Sequence, residues 1–116
     1  MLFRSLENLS GMAFDAKNNG ITPILGTNLN VCAETIDAFF KSIVDTNTAN
    51  PTIIKHRELL ERFCKANYMA YIDFNAILTQ ASSFPDMRDF IFDGLHPNKI
   101  GHEILAKAVA SLPLFN

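Results

Sequence analysis

Tryptophan is absent from this 116-residue chain, and cysteine occurs only twice, at Cys32 and Cys64. Two thiols so far apart do not make a disulfide framework, and their spacing is not that of a zinc site. Both fall among apolar residues, so buried, reduced thiols are expected. No apolar run reaches the roughly 20 residues that a membrane-crossing helix needs. The start, Met1-Leu2-Phe3-Arg4-Ser5, lacks the basic stretch and apolar block of a secretory leader, so a cytoplasmic protein is expected. An imbalance of charge is missing too. A net charge of −2 gives no basic field for nucleic acid and no acidic tail. Nor does any serine follow a strand in a tight glycine turn, the setting that exposes a serine for attack. Ser10-Gly11 is the nearest look-alike, and helical periodicity surrounds it.

What is present is globular in composition. Hydrophobic residues make up 48% of the chain and charged residues 19%, with ten Phe available for the core. The length predicts one domain, residues 1–116, able to bury roughly two-thirds of its unfolded surface.

Periodicity supplies the elements. Leu2, Leu6, Leu9, Ala13 and Ala16 recur at helical spacing up to Asn18, and Asn19-Gly20 provides a stop. Residues 21–27, short and rich in β-branched side chains, predict a buried strand. Pro23 counts against full pairing, because it has no N–H to donate. Residues 27–31 read as a loop, and residues 33–45 as a helix with Ile36, Phe39, Phe40, Ile43 and Val44 on its core face. Asn50-Pro51 should cap and start a helix running to Asn67, which buries Ile53, Leu60, Phe63 and Cys64. Residues 68–73 predict a second strand, ended by Asp73, and residues 74–80 a short helix. Residues 99–112 predict the last helix, capped by Asn98, with Ile104, Leu105, Ala108, Val109 and Leu112 inward. Strands alternating with helices imply an α/β fold whose small parallel sheet is covered on both faces.

The chemistry concentrates in Asp93-Gly94-Leu95-His96-Pro97-Asn98, just before the last helix. A carboxylate three residues ahead of an imidazole can hold one ring nitrogen while the other faces outward as a base. In an open α/β sheet, sites lie beyond the carboxyl ends of the strands, and this loop should fall on that side with Asp73. Gly94 permits the turn and Pro97 fixes the backbone after the histidine. Two other readings remain open. Asp93 and His96 could simply pin the last helix, or His102 could join them around a metal, although a His-x5-His spacing suits an ordinary helix-face residue better. His56 reads as an interfacial histidine, and Asp73 as a cap for the turn that follows it.

The stretch from Phe92 to Ala108 resembles the last signature block of the Ser-Gly-Asn-His hydrolases, the GDSL-type esterases and lipases. That block reads Asp-x-x-His-Pro, then a glycine with an aromatic or histidine, then an alanine-rich helix; here it is Asp93 to Pro97, Gly101-His102, and Ala106 with Ala108. The strands at 21–27 and 71–73 are similar to those before it. The resemblance implies a partial flavodoxin-like three-layer α/β/α fold, corresponding to the C-terminal half of such a domain without its N-terminal strands. It implies roles for Asp93 and His96 in a serine triad that hydrolyses esters, with no cofactor and no metal. The family's serine, glycine and asparagine blocks have no counterpart. The expectation is therefore a hydrolase fragment inactive alone. Its partner would be a complementary N-terminal half or, through the exposed first strand, another copy. The rival expectation is a non-catalytic oligomerising or binding module.

Overall fold

The computed structural model describes residues 2–113, with the side chains at positions 2 and 3 left aside. Seven elements follow in order: α1 (Leu2–Asn18), β1 (Ile24–Gly26), α2 (Ala38–Ile43), α3 (Ala49–Ala66), β2 (Ala70–Ile72), α4 (Phe74–Ala81) and α5 (Lys99–Ala110). This is the expected α/β class, with a parallel pair in the register Ile24–Ala70, Leu25–Tyr71 and Gly26–Ile72. Among the described residues no helix is long and apolar enough to cross a membrane.

α1 ends as its sequence predicts. Gly20 takes φ +75°, and the Ile21 N–H reaches back to the Ala16 carbonyl at 2.9 Å. Its inward stripe is Leu6, Leu9, Ala13 and Ala16; the expectation for Leu2 lies outside the described side chains. This stripe meets Leu60, Phe63 and Cys64 of α3, with Leu25, Met69 and Tyr71 from the sheet region. Phe14 and Phe63 add an edge-to-face ring pair at 5.5 Å. Leu60 is fully buried, a contribution of about 1.5–3 kcal/mol for a side chain of its size.

Coverage of the sheet is unequal. α1 and α3 pack on the face that carries Leu25 and Tyr71. On the other face the Phe74 ring lies directly over Gly26, leaving no room for a Cβ there, and the Ile72 side chain stands beside it. Ile24 nonetheless stays 37% exposed. A second core, built from Cys32, Leu78, Met87 and Ile91 with Phe90, Ile104 and Leu105, holds α4 and α5 together and contains no strand residue. Both cysteines are free and buried, one in each core.

Two expectations need correction. The helix expected over 33–45 is only Ala38–Ile43 and buries none of its residues; Phe39 and Ile43 are 67% and 65% exposed. In the preceding segment, 32–37, the Cys32 and Asp37 N–H groups instead bond the Asp93 loop. Asp37 caps what remains, accepting from the Phe40 N–H at 2.9 Å. The second correction concerns Asn50. Thr48 precedes the first turn of α3 without a side-chain cap. The Asn50 amide turns away and clamps Val31, accepting from its N–H at 2.7 Å and donating to its carbonyl at 2.9 Å.

Candidate active site

Asp93 and His96 sit in a short hairpin. Ile91 and Pro97 form an antiparallel bridge. The Phe92 N–H donates to the His96 carbonyl at 3.3 Å, and the Asn98 N–H to the Phe90 carbonyl at 2.7 Å. Asn98 then caps α5, accepting from the Gly101 N–H at 2.9 Å, and its amide donates to the Asp89 carbonyl at 2.9 Å. The cap expected from sequence therefore also ties the loop down. Upstream, Asp89 accepts from the Ser82 hydroxyl at 2.5 Å and the Ser83 N–H at 3.1 Å. The Ser82 bond foremost holds the Asp89 carboxyl below the ordinary range.

The Asp93 carboxylate is nearly saturated. One oxygen accepts from the backbone N–H groups of Leu95 at 2.9 Å and His96 at 2.7 Å. The other lies 2.5 Å from Nδ1 of His96. The Asp93 side chain is 11% exposed and that of His96 59%. Burial pushes the Asp93 carboxyl up; the His96 ring and the His96 and Leu95 N–H groups push it down further, and it ends below the usual value. The imidazole is thus anchored at Nδ1 and open to solvent on its other side. Phe40 tilts against the ring with centroids 5.6 Å apart.

Gly94 explains how the loop fits. Its φ is +89°, and an added Cβ would stand 2.5 Å from the Ile36 Cα. That close approach lets residues 32–37 supply hydrogen bonds: Cys32 N–H to the Gly94 carbonyl at 2.8 Å, Asp37 N–H to the Asp93 carbonyl at 3.2 Å, and the Thr35 hydroxyl to the Ile91 carbonyl at 2.6 Å. Sequence periodicity missed this brace.

The loop lies beyond the carboxyl ends of the strands, as expected. Leu95 shares with Thr27, Asn28, Leu29, Ile53 and Leu105 an open cleft of about 420 Å³. Asp73 caps α4 through the Ala76 N–H at 2.9 Å. It also accepts from Thr27 at 3.4 Å and lies 4.0 Å from Arg57 Nε. The buried Tyr71 hydroxyl has no partner among the described residues, and burial, with the Asp73 charge second, pushes it up to about 12. This cluster joins the strand ends to α3.

Among the described residues no serine hydrogen-bonds the His96 ring. Ser10, Ser42 and Ser111 bond carbonyls of their own helices, and Ser82 serves Asp89. Ser5 lies 3.2 Å from Nε2 of His56, a pairing that sequence spacing could not reveal across 51 positions. His102 is exposed on α5, and among the described residues no group of three His, Cys, Asp or Glu side chains could hold a metal ion.

The sequence matches no established family profile and no curated protein. Solved structures do share its architecture. One is described as a "putative acylhydrolase" from Bacteroides fragilis NCTC 9343, with TM-score 0.74 and 22% identity. Another is a GDSL-like lipase from Bacteroides thetaiotaomicron VPI-5482, with TM-score 0.73 and 21% identity. The fold is that of half a GDSL-type hydrolase. Each superposition covers 94% of this chain and 50% of the other, so the chain spans half the length of these structures.

Proposed function

We propose that this chain carries the base-and-carboxylate half of an ester-hydrolysing site. His96 acts as general base and then as general acid. Asp93 orients the ring and stabilises the imidazolium that forms. The observation that carries the reading is the bond between His96 Nδ1 and a carboxylate already fixed by two backbone N–H groups. A carboxylate held in this way turns the opposite ring nitrogen into the free base. The similar structures, described as an acylhydrolase and a lipase, support an acyl ester as the substrate class. A nucleophile and oxyanion donors would come from outside the described residues, so the chain by itself is catalytically silent. No cofactor enters this chemistry.

The rival reading is a non-catalytic binding or oligomerising module. One observation favours it: serine hydroxyls are engaged away from His96, Ser5 with His56 and Ser82 with Asp89.

The test is the tautomer of neutral His96, read from long-range proton–nitrogen correlations. A proton on Nδ1 and a bare Nε2 are expected. A proton resident on Nε2 would leave no base facing solvent and would overturn the catalytic reading.

A further inference from the structure

The cleft beside the hairpin is lined for hydrocarbon. Leu29, Val31, Ile53, Phe74, Leu95 and Leu105 surround its volume of about 420 Å³, together with Thr27 and Asn28. All six apolar side chains are half-buried. They come from five segments: the loop after β1, α3, the start of α4, the hairpin and α5. Among the described residues no ionisable side chain lines the cleft. Its size falls in the range of small-ligand sites, about 300–1,000 Å³.

Much of the polar lining is already engaged within the chain. The Thr27 hydroxyl donates to Asp73 at 3.4 Å. The Asn28 carbonyl accepts from Arg57 at 3.5 Å. The Asn50 amide takes both backbone groups of Val31, and the Leu95 N–H donates to Asp93. The same bonds hold the walls in place. Val31 cannot recede without breaking the Asn50 clamp, nor Leu95 without leaving Asp93.

Position ties the cleft to the base. Leu95 and His96 are successive residues, their Cα atoms about 3.8 Å apart across a trans peptide. Both donate backbone N–H groups to one Asp93 oxygen. One wall of the cleft is therefore fixed relative to the imidazole. Among the described residues neither α1 nor β1 contributes to the lining, so the cleft is separate from the outer edge of the sheet. It lies over the strand ends, with Ile53 on the α3 side and Phe74 and Leu105 on the side of α4 and α5.

We propose that this cleft takes the hydrocarbon tail of an acyl chain whose carbonyl faces His96, and that it selects longer tails over acetyl. The position of the carbonyl rests on the hydrolase reading; the tail rests on the cleft alone. Acetyl has no tail to extend past His96. A longer chain reaches the apolar side chains, and each methylene removed from water adds to binding. A sugar-like or charged tail would lose its hydration against groups already paired, without bonds to replace it.

Methyl ketones test this, because they carry the carbonyl of an ester but no bond to hydrolyse. Acetone, methyl butyl ketone, methyl hexyl ketone and methyl octyl ketone are titrated into the intact chain, and its side-chain methyl groups are followed by NMR. Shifts are expected at Leu29, Val31, Ile53, Leu95 and Leu105, and not at Leu9 or Met12. The dissociation constant should fall about two- to fourfold for each added methylene, and acetone should not bind. Ile53→Asp sets a carboxylate in the cleft and should weaken methyl hexyl ketone roughly tenfold or more. Should that variant fail to fold, Ile53→Trp fills the same space without a charge and should give the same loss. Unshifted cleft methyl groups overturn the proposal. So do acetone binding as tightly as methyl octyl ketone, and a folded Ile53 variant that binds like wild type. The His96 tautomer separates the two readings. Absent cleft binding with a bare Nε2 overturns this inference alone. Cleft binding with a proton on Nε2 upholds the cleft and overturns the base.

Discussion

Gly94 and Ile36 are in backbone contact: a Cβ on Gly94 would lie 2.5 Å from the Ile36 Cα and 2.6 Å from its Cβ. The loop that carries the histidine and the segment before α2 are therefore fitted to one another, and glycine is the residue that allows it.

Gly94→Ala should accordingly be severe. The substitution combines a left-handed φ with an overlap against backbone, and the loss should be at least ~2 kcal/mol. Gly20→Ala is the control. Its φ is +75° but nothing lies within 4 Å of the new methyl group, so it should lose only about 1–2 kcal/mol. Urea unfolding of both variants measures the contrast. Equal losses would mean that Ile36 does not press on the loop.

The second prediction concerns catalysis. Purified alone, the chain should hydrolyse short acyl esters no faster than its His96→Ala variant, because a base without a nucleophile does not form an acyl-enzyme. Turnover that disappears with His96→Ala would reveal a nucleophile near the ring, and phosphonate labelling with mass mapping would locate it.

A third expectation is acid sensitivity at Asp93. Its folded carboxyl lies below the ordinary value, with burial opposing the shift and the bonds from His96 and Leu95 prevailing. A depressed acid stabilises the fold fully above the unfolded value of about 3.9, and the stabilisation disappears as pH falls through the folded value. Wild type should exceed Asp93→Asn by about 1.5–3 kcal/mol at neutral pH, the range for hydrogen bonds to a charged group. That advantage should shrink below about pH 4. Chemical denaturation from pH 7 to pH 2 measures it, and a gap that stays constant in acid contradicts the assignment.

Asn50 carries the fourth prediction. Asn50→Ala strands the Val31 N–H and carbonyl, which the amide serves at 2.7 and 2.9 Å, and should lose about 1–3 kcal/mol. Asn50→Asp keeps the acceptor but sets a carboxylate oxygen against the Val31 carbonyl, so it too should lose stability. An Ala variant as stable as wild type would show that water replaces the clamp.

Much of this was legible before the fold was known, because the signals were local. Asp93 and His96 are three residues apart, Asn98 caps the helix it precedes, Asp73 caps α4, and Gly20 ends α1. The failures share a cause. Ile36, Phe39, Phe40, Ile43 and Val44 do have helical spacing, yet Cys32, Thr35 and Asp37 are claimed by bonds to residues more than fifty positions away. Asn50 looked like a cap for the same reason that Asp37 is one; a distant backbone offered its amide two bonds in place of a cap's one. Propensity measures what a segment does with its neighbours, and long-range partners outbid it here.

α2 contributes no buried residue to either core, and its links to the rest include the Asp37 N–H to the Asp93 carbonyl and the Phe40 ring to His96. An element so lightly held belongs to the low end of the local-opening spectrum, where excursions occur without global unfolding. The imidazole's aromatic neighbour is therefore its least permanent one. Were α2 to open, one side of His96 would be uncovered while the Asp93 carboxylate kept its hold on the ring.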